Sequence, residues 1–372
     1  MRPPPVSCHH SFEADVTGWL RSNDVRWRAV PVAAAPSGRL LILRNPETRA
    51  VLALHLLCTP TAASEVLPAD ATSALSDLLA AQPRARRLIH LWEDQWQERP
   101  EIVRSRLLAS LGRTRREFAR RTHAERIDAA TLDAFLAENH LWGPTKARFR
   151  YGLYTGPKRS PRVGTSGSKG GAGVRGAGDK AEEAGELIAV ASFSPRRHMP
   201  RTDGGRSRSH EMIRYCSRQG ESVVGGISKL MAAFARDAEP DDIVTVVDRD
   251  WSTADGWRGL GFVSVQRMEP VAFFVGQDGL RCHIGGGPNP HRRRLPPQVT
   301  EEFERHWEAG QAGQCAARRH EAGGDGGSVD GEPRCESEKQ LAMTEFLAER
   351  RYFPVHDAGA ERLLLELRPP SA

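Results

Sequence analysis

Between Leu187 and Phe274 the sequence reads as one continuous αβ unit, and that order constrains the fold more than any other feature. The runs LIAVASF (187–193) and MIRYC (212–216) are strand-like. Gly225-Gly226 then opens a helix-like run, ISKLMAAFAR (227–236). A third apolar run, IVTVV (243–247), leads into Asp248-Arg249-Asp250-Trp251. WRGLGF (257–262) and a last strand-like run, VAFFV (271–275), follow. A strand feeding a glycine turn at a helix N-terminus makes a backbone anion site, because free N–H groups and the helix dipole point at the ligand. The same turn also serves a purely local purpose, since glycine permits backbone angles that other residues avoid.

A chain of 372 residues is long enough for two domains. Hydrophobic residues are 39%, against 35 glycines and 25 prolines, a balance that leaves some segments too polar to order themselves. Residues 156–185 and 310–338 are such segments, and both are expected to be disordered insertions. The net charge is +6. Arginine is densest at Arg104, Arg106, Arg113, Arg115, Arg116, Arg120 and Arg121. Such a run suits phosphate contact, whereas scattered arginines equally reflect a biased composition.

The six cysteines show no CxxC spacing, so neither a zinc ribbon nor a redox dithiol is expected, and no metal site is assigned. Free thiols fit a reducing, intracellular compartment. No apolar run approaches the length that spans a bilayer. The N-terminus MRPPPVSCHH lacks an apolar core for secretion; one Arg and no acid before Glu13 leave organelle targeting open, against which its three prolines oppose an amphipathic presequence helix.

Along the chain, 11–27 has helical spacing with Ser11 as a plausible N-cap. Residues 40–43 and 50–57 read as a hairpin. Residues 71–80 are helix-like and 87–92 form a short buried-strand pattern. Residues 99–118 read as a strongly basic helix, extended by its charges to Arg121. An amphipathic helix over 127–139 places Leu132, Phe135 and Leu136 on one side, and 149–154 is a strand. Residues 341–367 read as a short helix followed by two strands. These elements divide into a unit over 1–122, a second over 123–309, the insertion 310–338, and a closing piece over 339–372.

Two longer signatures sharpen the picture. One is Leu91-Trp92-Glu93-Asp94 with Trp96, then Glu101 to Leu107 (EIVRSRL) and Leu111-Gly112. The other runs from FLAENH (135–140) through YGLY (151–154), Arg214-Tyr215-Cys216 and GGISKL (225–230) to DRDWS (248–252), and YFPVHDAG (352–359) closes it. Together they resemble a class of bacteriophage homing endonucleases. In that class a nuclease domain similar to very-short-patch repair endonucleases precedes a GNAT-like acetyltransferase-fold domain. The resemblance implies an α/β (α+β) protein: an N-terminal restriction-endonuclease-like domain, then a GNAT-like mixed sheet with helices on both faces.

The resemblance implies a nuclease that hydrolyses phosphodiesters with metal-bound carboxylates and a histidine. Glu13 matches an acidic position on the first helix. The two strands that should bring an Asp and a Glu read LLIL (40–43) and VLALH (51–55), with no carboxylate, and Glu47 sits in the turn between them. Mg²⁺, needed only by an active nuclease, takes hard oxygen ligands. The nuclease therefore reads as degenerate, with Glu13, Glu47 and His55 as its remnants. Glu93 and Asp94 are the other candidates for leftover chemistry, and all of these residues have ordinary structural roles open to them.

The GNAT-like half implies acetyl-CoA held at Val224, Gly225, Gly226, Ile227, Ser228 and Lys229. Gly226 matches the family's pyrophosphate loop, while Val223 and Ser228 depart from it. The family's general-acid Tyr is replaced by Trp257, whose indole cannot serve. Tyr215, Cys216 and His210 lie elsewhere as candidate substitutes that nothing in the sequence requires, and a general base would have to be Glu211, Asp248 or Asp250. Asp248-Arg249-Asp250 reads better as an ion-paired turn. Three functions compete: a nucleic-acid-binding protein with DNA preferred to RNA, an acetyl-CoA-dependent N-acetyltransferase recruited to nucleic acid, and a metal-dependent DNA endonuclease.

Overall fold

In the computed structural model, residues 8–31, 38–81, 87–156, 185–200, 206–284, 293–321 and 336–367 are described. The chain is mixed α/β with several sheets. It divides into two compact units: residues 1–103 with 246–363, and residues 104–245 with 364–372. The cuts between these units fall within one helix and two strands. Among the described residues no helix is long and apolar enough to cross a membrane.

The elements follow in chain order: α1 (Cys8–Ser22), β1 (Arg26–Val30), β2 (Gly38–Arg44), β3 (Val51–Leu57), α2 (Ala71–Ala80), β4 (Arg87–Trp92), α3 (Glu93–Glu98) and α4 (Pro100–Ser110). Next come β5 (Arg115–Phe118), β6 (Thr122–Arg126), α5 (Ala129–Asn139), β7 (Phe149–Thr155), β8 (Leu187–Phe193), β9 (Arg197–Pro200), β10 (Arg206–Ser217), β11 (Glu221–Val224), α6 (Gly226–Ala238) and β12 (Asp242–Asp248). The remainder is α7 (Asp255–Arg258), β13 (Val263–Met268), β14 (Ala272–Val275), β15 (Arg281–Cys282), α8 (Pro297–Glu321), α9 (Glu336–Glu349), β16 (Phe353–His356) and β17 (Ala360–Glu366).

The first unit holds a four-stranded sheet in the order β1-β2-β3-β4. The expected hairpin is present: β2 and β3 pair antiparallel with Leu41 opposite Leu54. β4 then pairs parallel with β3, Leu54 opposite Ile89. β3 is buried from Leu52 to Leu57, as an apolar strand covered on both faces must be. α1 buries Phe12, Val16 and Leu20, one helical stripe. A three-stranded sheet, β15-β14-β16, belongs to the same unit. Leu57 and Trp92 share a core cluster with Phe273, Val275 and Val355, which makes the two sequence-distant pieces one folded body.

The second unit carries strands in the order β6-β7-β8-β10-β12. β10 and β12 run parallel, with Ser209 opposite Asp242, and α6 makes the crossover between them. α6 buries Leu230, Met231, Ala233 and Phe234. Phe234 stacks on Phe193 of β8, with ring centroids 3.9 Å apart. α5 begins where Asp128 accepts a hydrogen bond from Thr131 N at 2.7 Å. It buries Leu132, Phe135 and Leu136, as the periodicity predicts. β7 and β8 pair antiparallel, so the Gly/Ser-rich segment lies between hairpin-related strands, with 157–184 outside the described residues.

Two expectations are corrected. The basic helix ends at Ser110, because Gly112 adopts φ 77° and residues 115–118 turn extended to pair parallel with β11. Arg113, Arg115, Arg116, Arg120 and Arg121 are thus not helical in an α sense. The segment 310–338 is helical at both ends, since α8 runs to Glu321 and α9 starts at Glu336; residues 322–335 lie outside the described residues. Ala, Gln and Arg dominate 311–319 and favour helix over coil there.

Candidate functional site

In the first unit the two signature motifs interlock. Trp92 ends β4, and its indole Nε1 donates to Asp250 Oδ2 at 3.2 Å. Ala358 N donates to Asp250 Oδ1 at 2.9 Å, and His90 N donates to the Asp250 carbonyl at 2.8 Å. Trp251 Nε1 returns a bond to Gln95 Oε1 at 3.2 Å. Asp248 Oδ1 accepts from Asp250 N at 2.8 Å, and Arg249 Nη1 donates to Ala358 O at 2.9 Å. Burial pushes the Asp250 carboxyl well above the ordinary range, and Asp248 and Asp357 add like charge. The bonds from Trp92 and Ala358 commit both carboxyl oxygens of Asp250 to holding the chain.

Glu93 and Asp94 are fixed in the same way. Glu93 Oε2 accepts from Thr59 N at 3.1 Å and Thr59 Oγ1 at 3.2 Å. Arg281 Nε lies 3.0 and 2.9 Å from the two oxygens of Asp94, with both side chains buried. The Arg281 guanidinium also lies 4.5 Å from the Trp92 ring centroid.

The expected nuclease remnants fall at three kinds of place. Glu13 on α1 pairs with Arg39 of β2 at 2.9 Å. Glu47 is exposed in the β2–β3 turn, where its N–H donates to Asn45 Oδ1 at 3.0 Å. His55 is buried on β3, its Nδ1 2.9 Å from His90 Nδ1, while His90 Nε2 lies 2.8 Å from Ser76 Oγ. Burial lowers the His55 ring to about 4, and burial with positive neighbours takes His90 well below its ordinary value. Both rings are therefore neutral near pH 7. Among the described residues no group of three or more His, Cys, Asp or Glu side chains is placed to hold a metal ion.

In the second unit, Gly225 takes φ 78° between β11 and α6, a left-handed angle that glycine adopts freely. Gly226 is buried, and a Cβ there would stand 3.0 Å from Tyr215 Oη and from Val223 Cβ. Val224 and Ser228 are exposed and Ile227 is half-buried. Lys229 Nζ donates to Ala119 O at 2.7 Å and to Thr122 O, so its cation pins the segment 119–122.

Glu211 is half-buried on β10, and its N–H donates to Ser194 Oγ at 2.9 Å. It belongs to the second unit, whereas Asp248 and Asp250 belong to the first. The His210 ring packs edge-on to Phe149 and Phe234, and its Nδ1 lies 3.0 Å from Ser194 O, a geometry that makes Nδ1 the donor. Burial pushes the Cys216 thiol up to about 12 and raises the Tyr215 phenol. Neither ionises near neutrality. Trp251 is buried core, and Trp257 packs edge-on against Phe262.

The arginines take a different arrangement from a helical stripe. Arg104 and Arg106 are half-buried on the last turns of α4, and Arg113 is half-buried in the loop. Arg115 and Arg116 are exposed on β5, and Arg115 pairs with Glu221 of β11. Arg120 and Arg121 are exposed in the 3-10 turn before β6. Phe118, which sequence reasoning passes over, stands among them. The residue is 38% exposed, and the Arg120 guanidinium carbon lies over its ring, 4.9 Å from the centroid. A single aromatic inside RREFARR is the signal that could have found it. Comparison with protein-family models and with curated protein sequences returned no match to this chain. The site's own residues present an exposed cationic and aromatic surface in the second unit, and carboxylates held by hydrogen bonds and an ion pair in the first.

Proposed function

We propose that this chain binds nucleic acid, DNA in preference to RNA, through the ribbon Arg116–Phe118–Arg120–Arg121, and that it does so without cutting. The observation that carries the reading is the exposed Phe118 ring flanked by exposed guanidiniums. Bases stack on such a ring whatever their sequence, and arginines neutralise the phosphates between them. The preference for DNA and the nuclease-like ancestry rest on the resemblance to homing endonucleases. Among the described residues the acids expected near a Mg²⁺ site do not form one: Glu13 pairs with Arg39, Glu93 is held by Thr59, and Asp94 is held by Arg281. No hydrolytic step is assigned.

Fluorescence anisotropy of the full chain with labelled single-stranded and duplex DNA over a salt series tests this reading. Changing Arg116, Arg120 and Arg121 to Ala together should flatten the log–log salt slope by about 0.7–0.9 for each phosphate no longer neutralised. Phe118→Ala should weaken single-strand binding by about 1–3 kcal/mol. Binding that keeps its slope and affinity in both variants rejects the ribbon.

A second reading is supported by the β10–Gly225–α6–β12 parallel crossover, which suits the pyrophosphate of acetyl-CoA at the α6 N-terminus. Here the chain would be a GNAT-like acetyltransferase. Acetyl-CoA in excess should then raise the melting temperature of the full chain, since a ligand binding only the folded state stabilises it by RT ln(1 + [L]/Kd). An unchanged melting temperature at millimolar acetyl-CoA removes this reading and leaves the first intact.

A further inference from the structure

A cleft of about 420 Å³ opens in the first unit among α2, the start of β4, the loop after β12, β13 and β17. Four arginines line it: Arg87, Arg249, Arg258 and Arg267. Three acids, Asp77, Asp255 and Glu361, share the cleft, so positive charge is in excess. Ser252 and Ser264 add hydroxyls to the wall, while the Thr253 hydroxyl donates to Asp255 Oδ2 at 2.6 Å. The function proposed above draws on none of these residues.

The arrangement at Asp77 indicates what the cleft is built for. Its two carboxylate oxygens are divided between two guanidiniums: Arg249 Nη2 bonds Oδ1 at 2.7 Å, and Arg267 Nη2 bonds Oδ2. Burial acts to raise the Asp77 carboxyl, and the bonds and charges of Arg267 and Arg249 outweigh it, holding the group below the usual range. Two guanidiniums converging on the two oxygens of one anion is the geometry by which arginines take a phosphoryl group. Asp77 is 47% exposed while Arg249 is only 14% exposed, so the anion is the replaceable member of the pair. Elsewhere in the lining Arg258 bonds Glu361 and Asp255. Arg87 Nη2 is oriented by the Trp251 carbonyl at 2.9 Å. The volume falls within the range of small-ligand sites.

We propose that this cleft binds the phosphate monoester group of a nucleotide-sized ligand, whose phosphoryl oxygens displace Asp77 from Arg249 and Arg267. Asp77 acts as the resident anion of the unliganded cleft. It keeps the two guanidiniums aligned until a ligand arrives, and it competes with the ligand for them. A free mononucleotide and the 5′-phosphate of a DNA end present the same chemistry.

Calorimetric titration of the full chain with AMP tests this, alongside 5′-phosphorylated and unphosphorylated forms of one short oligonucleotide. Binding of AMP at millimolar affinity or better names a free nucleotide. A gain in oligonucleotide affinity that needs the 5′-phosphate names a DNA end. In either case Arg249→Gln and Arg267→Gln should each weaken binding about tenfold or more, the value of a charge-assisted hydrogen bond. Asp77→Asn should tighten binding several-fold, because it removes the competitor, and it guards against arginine variants that lose their fold. No AMP binding and no effect of the 5′-phosphate, or an Asp77→Asn chain that binds more weakly, overturns the proposal. Phe118→Ala should leave AMP binding unchanged, which separates failure of this site from failure of the ribbon.

Discussion

Trp92 Nε1 and Asp250 Oδ2 are 3.2 Å apart and both groups are buried, so a bond between residues far apart in sequence holds β4 to the turn after β12. Trp92→Phe keeps most of the ring and deletes the donor. It should cost about 1–3 kcal/mol, the penalty for leaving a buried acceptor short of a partner. Urea unfolding followed by far-UV circular dichroism reads the loss. A midpoint equal to wild type would show that the ring alone matters.

The Arg281–Asp94 pair calls for a double-mutant cycle. Arg281→Met strands a buried carboxylate and should cost about 3–5 kcal/mol. Adding Asp94→Asn should recover part of that loss, since the stranded charge is then gone. Equal stability of the single and double variants would mean that the pair does not couple.

Acid should destabilise the first unit through its buried histidines. The folded pKa of His55 is lowered to about 4 from an ordinary 6.5, so the unfolded chain binds the proton more tightly between those values. Stability is fully present above about pH 6.5 and falls as pH drops toward about 4, by about 3 kcal/mol from His55 alone. His90, also lowered, acts in the same direction. Unfolding free energies at about pH 7 and about pH 4.5 should differ less in His55→Gln than in wild type. An unchanged difference would place the acid sensitivity elsewhere.

Two glycines separate conformational cost from collision. Gly225 has φ 78°, and a Cβ there would meet Ala119 Cβ at an ordinary 3.5 Å, so Gly225→Ala should cost about 1–2 kcal/mol. Gly359 has φ 75° and its Cβ would stand 2.4 Å from Met268 O, so Gly359→Ala should cost clearly more. Thermal melts rank the two; the reverse order would contradict the packing around Gly359.

Periodicity makes the local elements legible. Leu132, Phe135 and Leu136 announce α5, the apolar run 51–57 announces β3, and 71–80 matches α2 residue for residue. The arginine run reads as one long helix only because charge carries no helical period of its own. Gly112 alone marks the stop, and the strand partner of 115–118 lies at 221–224, beyond any local window. At Asp248-Arg249-Asp250, which reads as a local ion-paired turn, the partners of Asp250 are Trp92 and Ala358 and those of Arg249 are Asp77 and Ala358, all distant in sequence. Sequence offers the residues and not the partners. Lys229 looks suited to a phosphate for the same reason, until Ala119 and Thr122 supply its acceptors.

The first unit is assembled from both ends of the chain, 1–103 and 246–363. On a ribosome its opening segment emerges with β3 and β4 formed of apolar residues, and the strands that share their core are synthesised only after the main segment of the second unit, residues 104–245. At roughly 5–20 residues per second this delay lasts many seconds. During that interval Leu57 and Trp92 lack the cluster partners Phe273, Val275 and Val355, and a chain truncated before β14 never gains them. The second unit, whose own core is contiguous from 104 to 245, has its main segment complete first and can serve as the folded intermediate on which synthesis of the first unit ends.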